Sequence, residues 1–327
     1  MSQPARAAGH TGVGRISGTH PDGIGRTEEV LERNLDRTER LAPGVHEIVI
    51  DGVVQRYHVA GNGPVCLVHS GGPGVHWEYL RMPLLEQHMT AVYVAPVGAG
   101  ESGDLPDGHY SMERYARFVD GVVDHLDVPE VYLMGHSAGG FVALQYELDH
   151  PGKLAGIILY DSAPLLGPDL HAEAAAQMTA FARRHAGRPE AADVVAAYRR
   201  SQTPPTTGAE VTAHVRRLIP AYFADYWGLP DELKEAVGSV EAEYVPSAGI
   251  WDVRGTLGKV GIPALILVGR HDWICPVRWA EEMHAEMAGS RLTVFESSGH
   301  FAHLEEPGAF VRAVTGFLAE CAGRAAV

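Results

Sequence analysis

Cysteine is nearly absent: the 327 residues hold three, Cys66, Cys275 and Cys321, an odd number with no C-x-x-C pair. That excludes a disulfide framework and suits a reducing, cytoplasmic setting. Basic residues are outnumbered, 26 Lys+Arg against 41 Asp+Glu, for a formal charge of −15. This balance excludes a nucleic-acid partner, because phosphate binding rests on clustered Lys and Arg. The doublets Arg183-Arg184, Arg199-Arg200 and Arg216-Arg217 are isolated and read as solvated faces. No apolar run reaches the length that spans a bilayer, so no membrane partner is expected. Met1 to Arg26 is polar and Gly-rich, with nothing resembling a secretory signal. A phosphate-cradling Gly loop and a dinucleotide fingerprint are missing too; Gly98–Gly103 lacks the spacing.

What is present is ample apolar material, 46% of residues, enough to exclude disorder as the main state. The length suits one large domain or a domain carrying an insertion. Residues 1–40 read as a flexible tail followed by a polar helix from Thr27. Two alternating stretches, His46–Ile50 and Val54–Val59, flank Asp51-Gly52 and predict an antiparallel hairpin. Continuous apolar runs then recur at Val65–Val68, Ala91–Val94, Val131–Met134, Gly156–Tyr160, Ala264–Val268 and Leu292–Phe295. Helical stretches fall between several of them, at Met112–Leu126, Ala138–His150, Val277–Met287 and Pro307–Leu318. Such runs fit strands of a parallel sheet covered by helices on both faces, an α/β fold. Between Pro164 and Trp251 no strand is apparent, only Ala-rich helical segments broken by Gly187-Arg188-Pro189 and Pro204-Pro205. The expected layout is a core over residues 41–163 and 252–327 with a helical cap over 164–251.

Gly135-His136-Ser137-Ala138-Gly139 matches G-x-S-x-G, placed between a strand and a helix. Small residues permit a sharp turn that lifts the serine hydroxyl above the sheet. Serine is a weak nucleophile and needs a base, itself oriented by an acid. The elbow takes its partners in the order Ser, Asp/Glu, His. Asp272 follows the strand 264–268, and His300 follows 292–295, both where loops at the carboxyl edge of a parallel sheet gather ligands. Asp161, just after Tyr160, is the competing acid. His303 is the competing base, although His300 is nearer its strand and preceded by Gly299. The second histidine of His300-Phe301-Ala302-His303 has no third ligand cluster beside it, so no metal is expected. Gly72, in the loop His69-Ser70-Gly71-Gly72-Pro73-Gly74, and Ala138 are the expected oxyanion donors, with Gly71 against the substrate.

These segments resemble the proline iminopeptidase-like serine hydrolases of the α/β-hydrolase superfamily. That family carries an H-G-G-P-G loop, a G-x-S-x-G-G elbow and a G-R-x-D-x-x-C-P acid motif. Here they read Ser70-Gly71-Gly72-Pro73-Gly74, Gly135 to Gly140, and Gly269-Arg270-His271-Asp272-Trp273-Ile274-Cys275-Pro276. The resemblance runs from about Val45 to the C-terminus apart from much of the cap. It implies an α/β-hydrolase fold, a mostly parallel sheet flanked by helices with an inserted helical cap. It also implies a Ser137-Asp272-His300 triad, an acyl-enzyme, no metal and no organic cofactor. The chain departs from the family at Ser70, where the loop has His. Ala95-Pro96-Val97-Gly98-Ala99-Gly100-Glu101-Ser102 stands where the family has D-Q-R-G-x-G-x-S. His136 looks more like esterases and lactone hydrolases of the same superfold.

Glu243, preceding Ile250-Trp251-Asp252, resembles a family cap glutamate that binds the substrate's α-amine; an acidic helix end facing water is the alternative. Aromatic residues are scarce at 8%, yet Tyr222, Tyr226 and Trp227 cluster in the cap, and Trp77 and Tyr79 follow the Gly-rich loop. They read as pocket walls or as cap-to-core packing. The expected partner is a small molecule: a peptide amide for an aminopeptidase releasing residues such as proline, or an apolar ester or lactone for a carboxylesterase or lactonase. A binding protein that keeps the fold without hydrolysis is the reading from another class. Nothing in the sequence sets an oligomeric state.

Overall fold

The first hairpin is set by its turn. Asp51 and Gly52 take φ of 51° and 80°, the left-handed geometry that Asp-Gly supplies in a two-residue turn. β1 (Gly44–Ile50) therefore folds back on β2 (Val53–Gly61), with Ile50 opposite Val53. The computed structural model describes residues 37–200, 205–246 and 248–325. The tail and helix expected over residues 1–40 lie outside them except for 37–40, which are helical. Along the chain follow β3 (Val65–His69), β4 (Thr90–Val94), α1 (Met112–Leu126), β5 (Val131–His136), α2 (Ala138–Asp149), β6 (Gly156–Tyr160) and β7 (Leu165–Leu166). Next come α3 (Pro168–Arg184), α4 (Pro189–Arg200), α5 (Gly208–Leu218), α6 (Asp231–Gly238) and β8 (Trp251–Asp252). The chain ends with β9 (Ala264–Gly269), α7 (Val277–Glu286), β10 (Arg291–Phe295), α8 (Ala302–Glu305) and α9 (Pro307–Ala325).

Eight strands form one sheet in the order β1-β2-β4-β3-β5-β6-β9-β10. Every pair from β4 to β10 is parallel, and only the first hairpin and its junction with β4 are antiparallel. Successive strand residues feed opposite cores. Leu133 and Leu159 join the cluster under α1, α2 and α7, whereas Met134 and Ile158 join the one under α9. Both faces being buried, the strands read as continuous apolar runs. α1 starts at Ser111, whose hydroxyl accepts from the Arg114 N–H at 3.3 Å, an N-cap. It buries Tyr115, Val119, Val122 and Leu126, a stripe at helical spacing.

The chain leaves β3 toward β4 on one side and returns to β5 on the other, so the strand order reverses at β3/β5. Crevices at such a switch point, beyond the carboxyl ends of the strands, are where open α/β sheets bind ligands. His69 pairs with Gly135 across it, which brings the Gly-rich loop and the elbow out side by side.

Helices α3 to α6 lie in the segment inserted between β6 and β9. The insertion is pinched at its base by an antiparallel ladder the sequence did not reveal: Leu165 pairs with Asp252 and Leu166 with Trp251. Two-residue strands are too short to show alternation. A further isolated bridge joins Val75 to Ala242.

Candidate active site

Ser137, between β5 and α2, has an unusual backbone conformation, φ 53° and ψ −121°. Non-glycine residues avoid that region, at a cost of about 1–3 kcal/mol, so the surroundings must hold it. The Ser137 N–H donates to the Tyr160 carbonyl at 2.9 Å, and the Ser162 hydroxyl donates to the Ser137 carbonyl at 2.9 Å. The turn closes only with small neighbours, because a Cβ on Gly135 would overlap the Gly139 carbonyl, and one on Gly139 the His69 carbonyl. Ala138 opens α2, and its N–H is among the first-turn donors that have no partner within the helix.

The loops after β9 and β10 meet over this turn. His300 Nδ1 lies 2.8 Å from Asp272 Oδ2, with both side chains buried. The other Asp272 oxygen accepts from the N–H groups of Ile274 and Cys275 at 2.8 and 3.1 Å, which fixes the carboxylate in place. The His271 N–H donates to the Ser298 carbonyl at 2.9 Å and so ties the Asp272 loop to the His300 loop. The backbone of His300 is clamped as well. Its N–H donates to the Tyr222 carbonyl at 2.6 Å, and its carbonyl faces His136 Nε2 at 2.9 Å.

The competing acid and base have other partners. Asp161 is fully buried and accepts from the Gly269 N–H at 2.7 Å. Burial, and after it the adjacent Asp272, hold its carboxyl well above the usual range. His303 sits between the Tyr160 hydroxyl at 2.9 Å and the Tyr79 carbonyl at 3.1 Å. Burial pushes its imidazole down to about 4, so it is neutral at pH 7. One ligand atom each from His136, Asp161 and His300 lies within 4.8 Å of the others. His136, however, has both ring nitrogens engaged, by Tyr79 and by the His300 carbonyl, leaving it no nitrogen with which to ligate a cation.

Ser137 and His300 face a cavity of about 110 Å³ whose other walls are mostly apolar, among them Val215, Ile219, Val237, Val240 and Phe301. Gly71, Gly72, Tyr79 and Tyr222 also line it. A second, more polar cavity of about 470 Å³, bordered by His76, Arg81 and Glu241, shares Tyr79, Val237, Val240 and Leu304 with the first. The remaining residues singled out in the sequence lie elsewhere. Trp77 is core, stacked on Tyr93 with ring centroids 4.9 Å apart. Trp227 packs against Phe181 and under Arg188, and Tyr226 against Phe223. Glu243 is exposed, with one oxygen accepting from the Gly100 N–H at 3.1 Å and the other 3.7 Å from His76. The aliphatic walls were missed. Val215 and Ile219 stand four apart on a helix and its extension, a visible spacing, but the sequence does not say what that face covers.

A family profile described as alpha/beta hydrolase fold matches residues 63–307. The chain is 26% identical to the 2-hydroxymuconate semialdehyde hydrolase of a Pseudomonas species, over 84% of this chain and 93% of that one. It is 27% identical to a proline iminopeptidase of Lactobacillus crispatus, over 76% of this chain and 87% of that one. Among solved structures, an esterase from Exiguobacterium antarcticum superposes with a TM-score of 0.63 at 24% identity, covering 84% of this chain and 99% of that one. At that identity the likeness is one of fold.

Proposed function

Because the chain belongs to the α/β hydrolase fold family, we propose that it is a serine hydrolase acting on small esters or lactones that present an apolar group. The observation that carries this reading is the lining of the cavity: apart from Ser137, His136 and His300 it is aliphatic, aromatic or glycine, with no carboxylate among the described residues that line it. A substrate bearing a free ammonium needs a paired anion when desolvated. Glu243, the residue the iminopeptidase resemblance offers for that role, spends its carboxylate on Gly100 and His76. The cavity is of the order of one that admits a benzene-sized guest, about 150 Å³, which suits a short acyl or aryl group.

In this reading Ser137 Oγ attacks the ester carbonyl while His300 Nε2 takes its proton, Nδ1 being committed to Asp272. The Gly72 and Ala138 N–H groups stabilise the developing oxyanion. His300 then returns the proton to the departing alkoxide. Water, activated by the same imidazole, attacks the acyl-Ser137 carbonyl and releases the acid. Residues 164–251 act as the cap that selects the apolar group.

The test compares p-nitrophenyl acetate and hexanoate with prolyl-p-nitroanilide. Ester turnover is expected to dominate and to fall at least about 10³-fold in Ser137→Ala, with Glu243→Gln changing KM for either ester less than about twofold. Preference for the prolyl amide would overturn the ester reading. Absence of turnover, with slow phosphonate labelling of Ser137, would favour a binding protein.

A further inference from the structure

We propose that Tyr79 and His136 form a positioning pair, holding the Gly71-Gly72 loop and the His300 loop in register across the nucleophile elbow. The inference rests on the reading of Ser137 and His300 as nucleophile and base. Three contacts carry it. The Gly71 N–H donates to the Tyr79 hydroxyl oxygen at 2.7 Å, that oxygen lies 2.7 Å from His136 Nδ1, and His136 Nε2 lies 2.9 Å from the His300 carbonyl.

A backbone carbonyl only accepts, so His136 Nε2 carries the hydrogen that reaches His300. A backbone N–H only donates, so the Tyr79 oxygen receives from Gly71. The remaining proton depends on Nδ1: in the neutral Nε2–H tautomer it accepts the Tyr79 hydroxyl hydrogen, and every group is satisfied. A second proton, on Nδ1, would leave the buried Tyr79 hydroxyl hydrogen without an acceptor. Burial, with neighbouring His300, also drives the imidazole well below its usual range.

The pair links the parts that must be mutually placed. Gly71 precedes the expected oxyanion donor and lies so near the elbow that a Cβ on it would strike the Ser137 side chain. The His300 carbonyl belongs to the expected base. Tyr79 is itself held by its backbone, since His303 Nε2 donates to its carbonyl at 3.1 Å. The pair thus spans from the loop after β3, through the residue before Ser137, to the loop after β10. No atom of it need touch the reacting carbonyl, so Tyr79 and His136 are positioning residues. Their loss should act on the rate of chemistry rather than on ground-state binding.

The experiment measures kcat and KM on p-nitrophenyl acetate, and Ser137 phosphorylation by paraoxon with release of p-nitrophenolate, for Tyr79→Phe, His136→Gln and the double variant. Tyr79→Phe is expected to lower kcat about 10- to 100-fold, with KM within about twofold and phosphorylation slowed in parallel. The double variant should fall no more than about threefold below the worse single one, as for residues acting as a unit. If Tyr79→Phe fails to fold, His136→Gln carries the same expectation. The ¹⁵N spectrum of histidine-labelled wild type should show His136 as Nε2–H from pH 5 to 9. A kcat within twofold of wild type in the folded variants, a loss confined to KM, additive losses, or titration of His136 in that range would overturn the proposal. Turnover that persists in Ser137→Ala would instead overturn the underlying hydrolase reading.

Discussion

In the sheet, Ile158 and Leu159 point into opposite apolar clusters, the second of which also takes Leu165, Leu170 and Trp251 from the inserted segment. The inserted segment differs, because its two small clusters borrow a side chain from the sheet's loops. Trp273 packs with Met178, Phe181 and Leu218, and Phe301 with Ile219, Phe223 and Val237. Those borrowed residues are the neighbours in sequence of Asp272 and His300. The sheet thus packs mainly on its own helices, with Leu165, Leu170 and Trp251 added near the two ends of the insertion. The region that shapes the cavity is anchored through residues one peptide bond away from Asp272 and His300. Loosening either of those two contacts should be felt at that pair.

Breaking the joint should have the largest effect. Phe301→Ala removes a buried ring that stacks on Tyr222 and lies 5.7 Å from the His136 ring centroid. A loss of about 3–5 kcal/mol in denaturant unfolding is expected, with lowered activity while the protein is still folded. Trp227→Ala, confined to the insertion, should spare kcat by comparison.

The joint should also respond to pH. Glu305 accepts from the N–H groups of Gly299 at 2.6 Å and Ala224 at 2.8 Å, one on each side of the boundary. Burial raises its carboxyl to about 7 from an ordinary 4.5. Between those values the folded state holds more protons than the unfolded one, so stability falls as pH rises, by up to about 3 kcal/mol, and levels off above 7. Urea titrations of Glu305→Gln from pH 4.5 to 7.5 should lose that slope.

The smallest change touches only the insertion. Val215→Ala enlarges the cavity wall, and the kcat/KM ratio of hexanoate to acetate should rise about 3- to 10-fold with little change in unfolding. Equal losses on both esters would mean that the wall also supports the chemistry.

The same contrast governs what could be read from the sequence. Helix 112–126 and the strand cores were legible because a doubly covered parallel sheet leaves continuous apolar runs, and caps such as Ser111 mark helix starts. Ser137, Asp272 and His300 were legible as candidates because loops at strand ends carry a recurrent order. The cavity walls were not, because an Ala-rich helix has several faces that satisfy the same spacing. Only the fold decides that Val215 lines the cavity while Trp227 packs elsewhere. Glu243 showed the converse, since its motif position could not reveal that Gly100 would take its carboxylate.

The backbone of Ser137 gives selection two masters. At φ 53° and ψ −121°, glycine would relieve strain that serine must bear, so pressure for folding alone would drift toward losing the hydroxyl. If Ser137 is the nucleophile proposed above, turnover alone would keep it. A lineage released from the need for activity should record that release at this codon early, while the sheet beneath it stays intact.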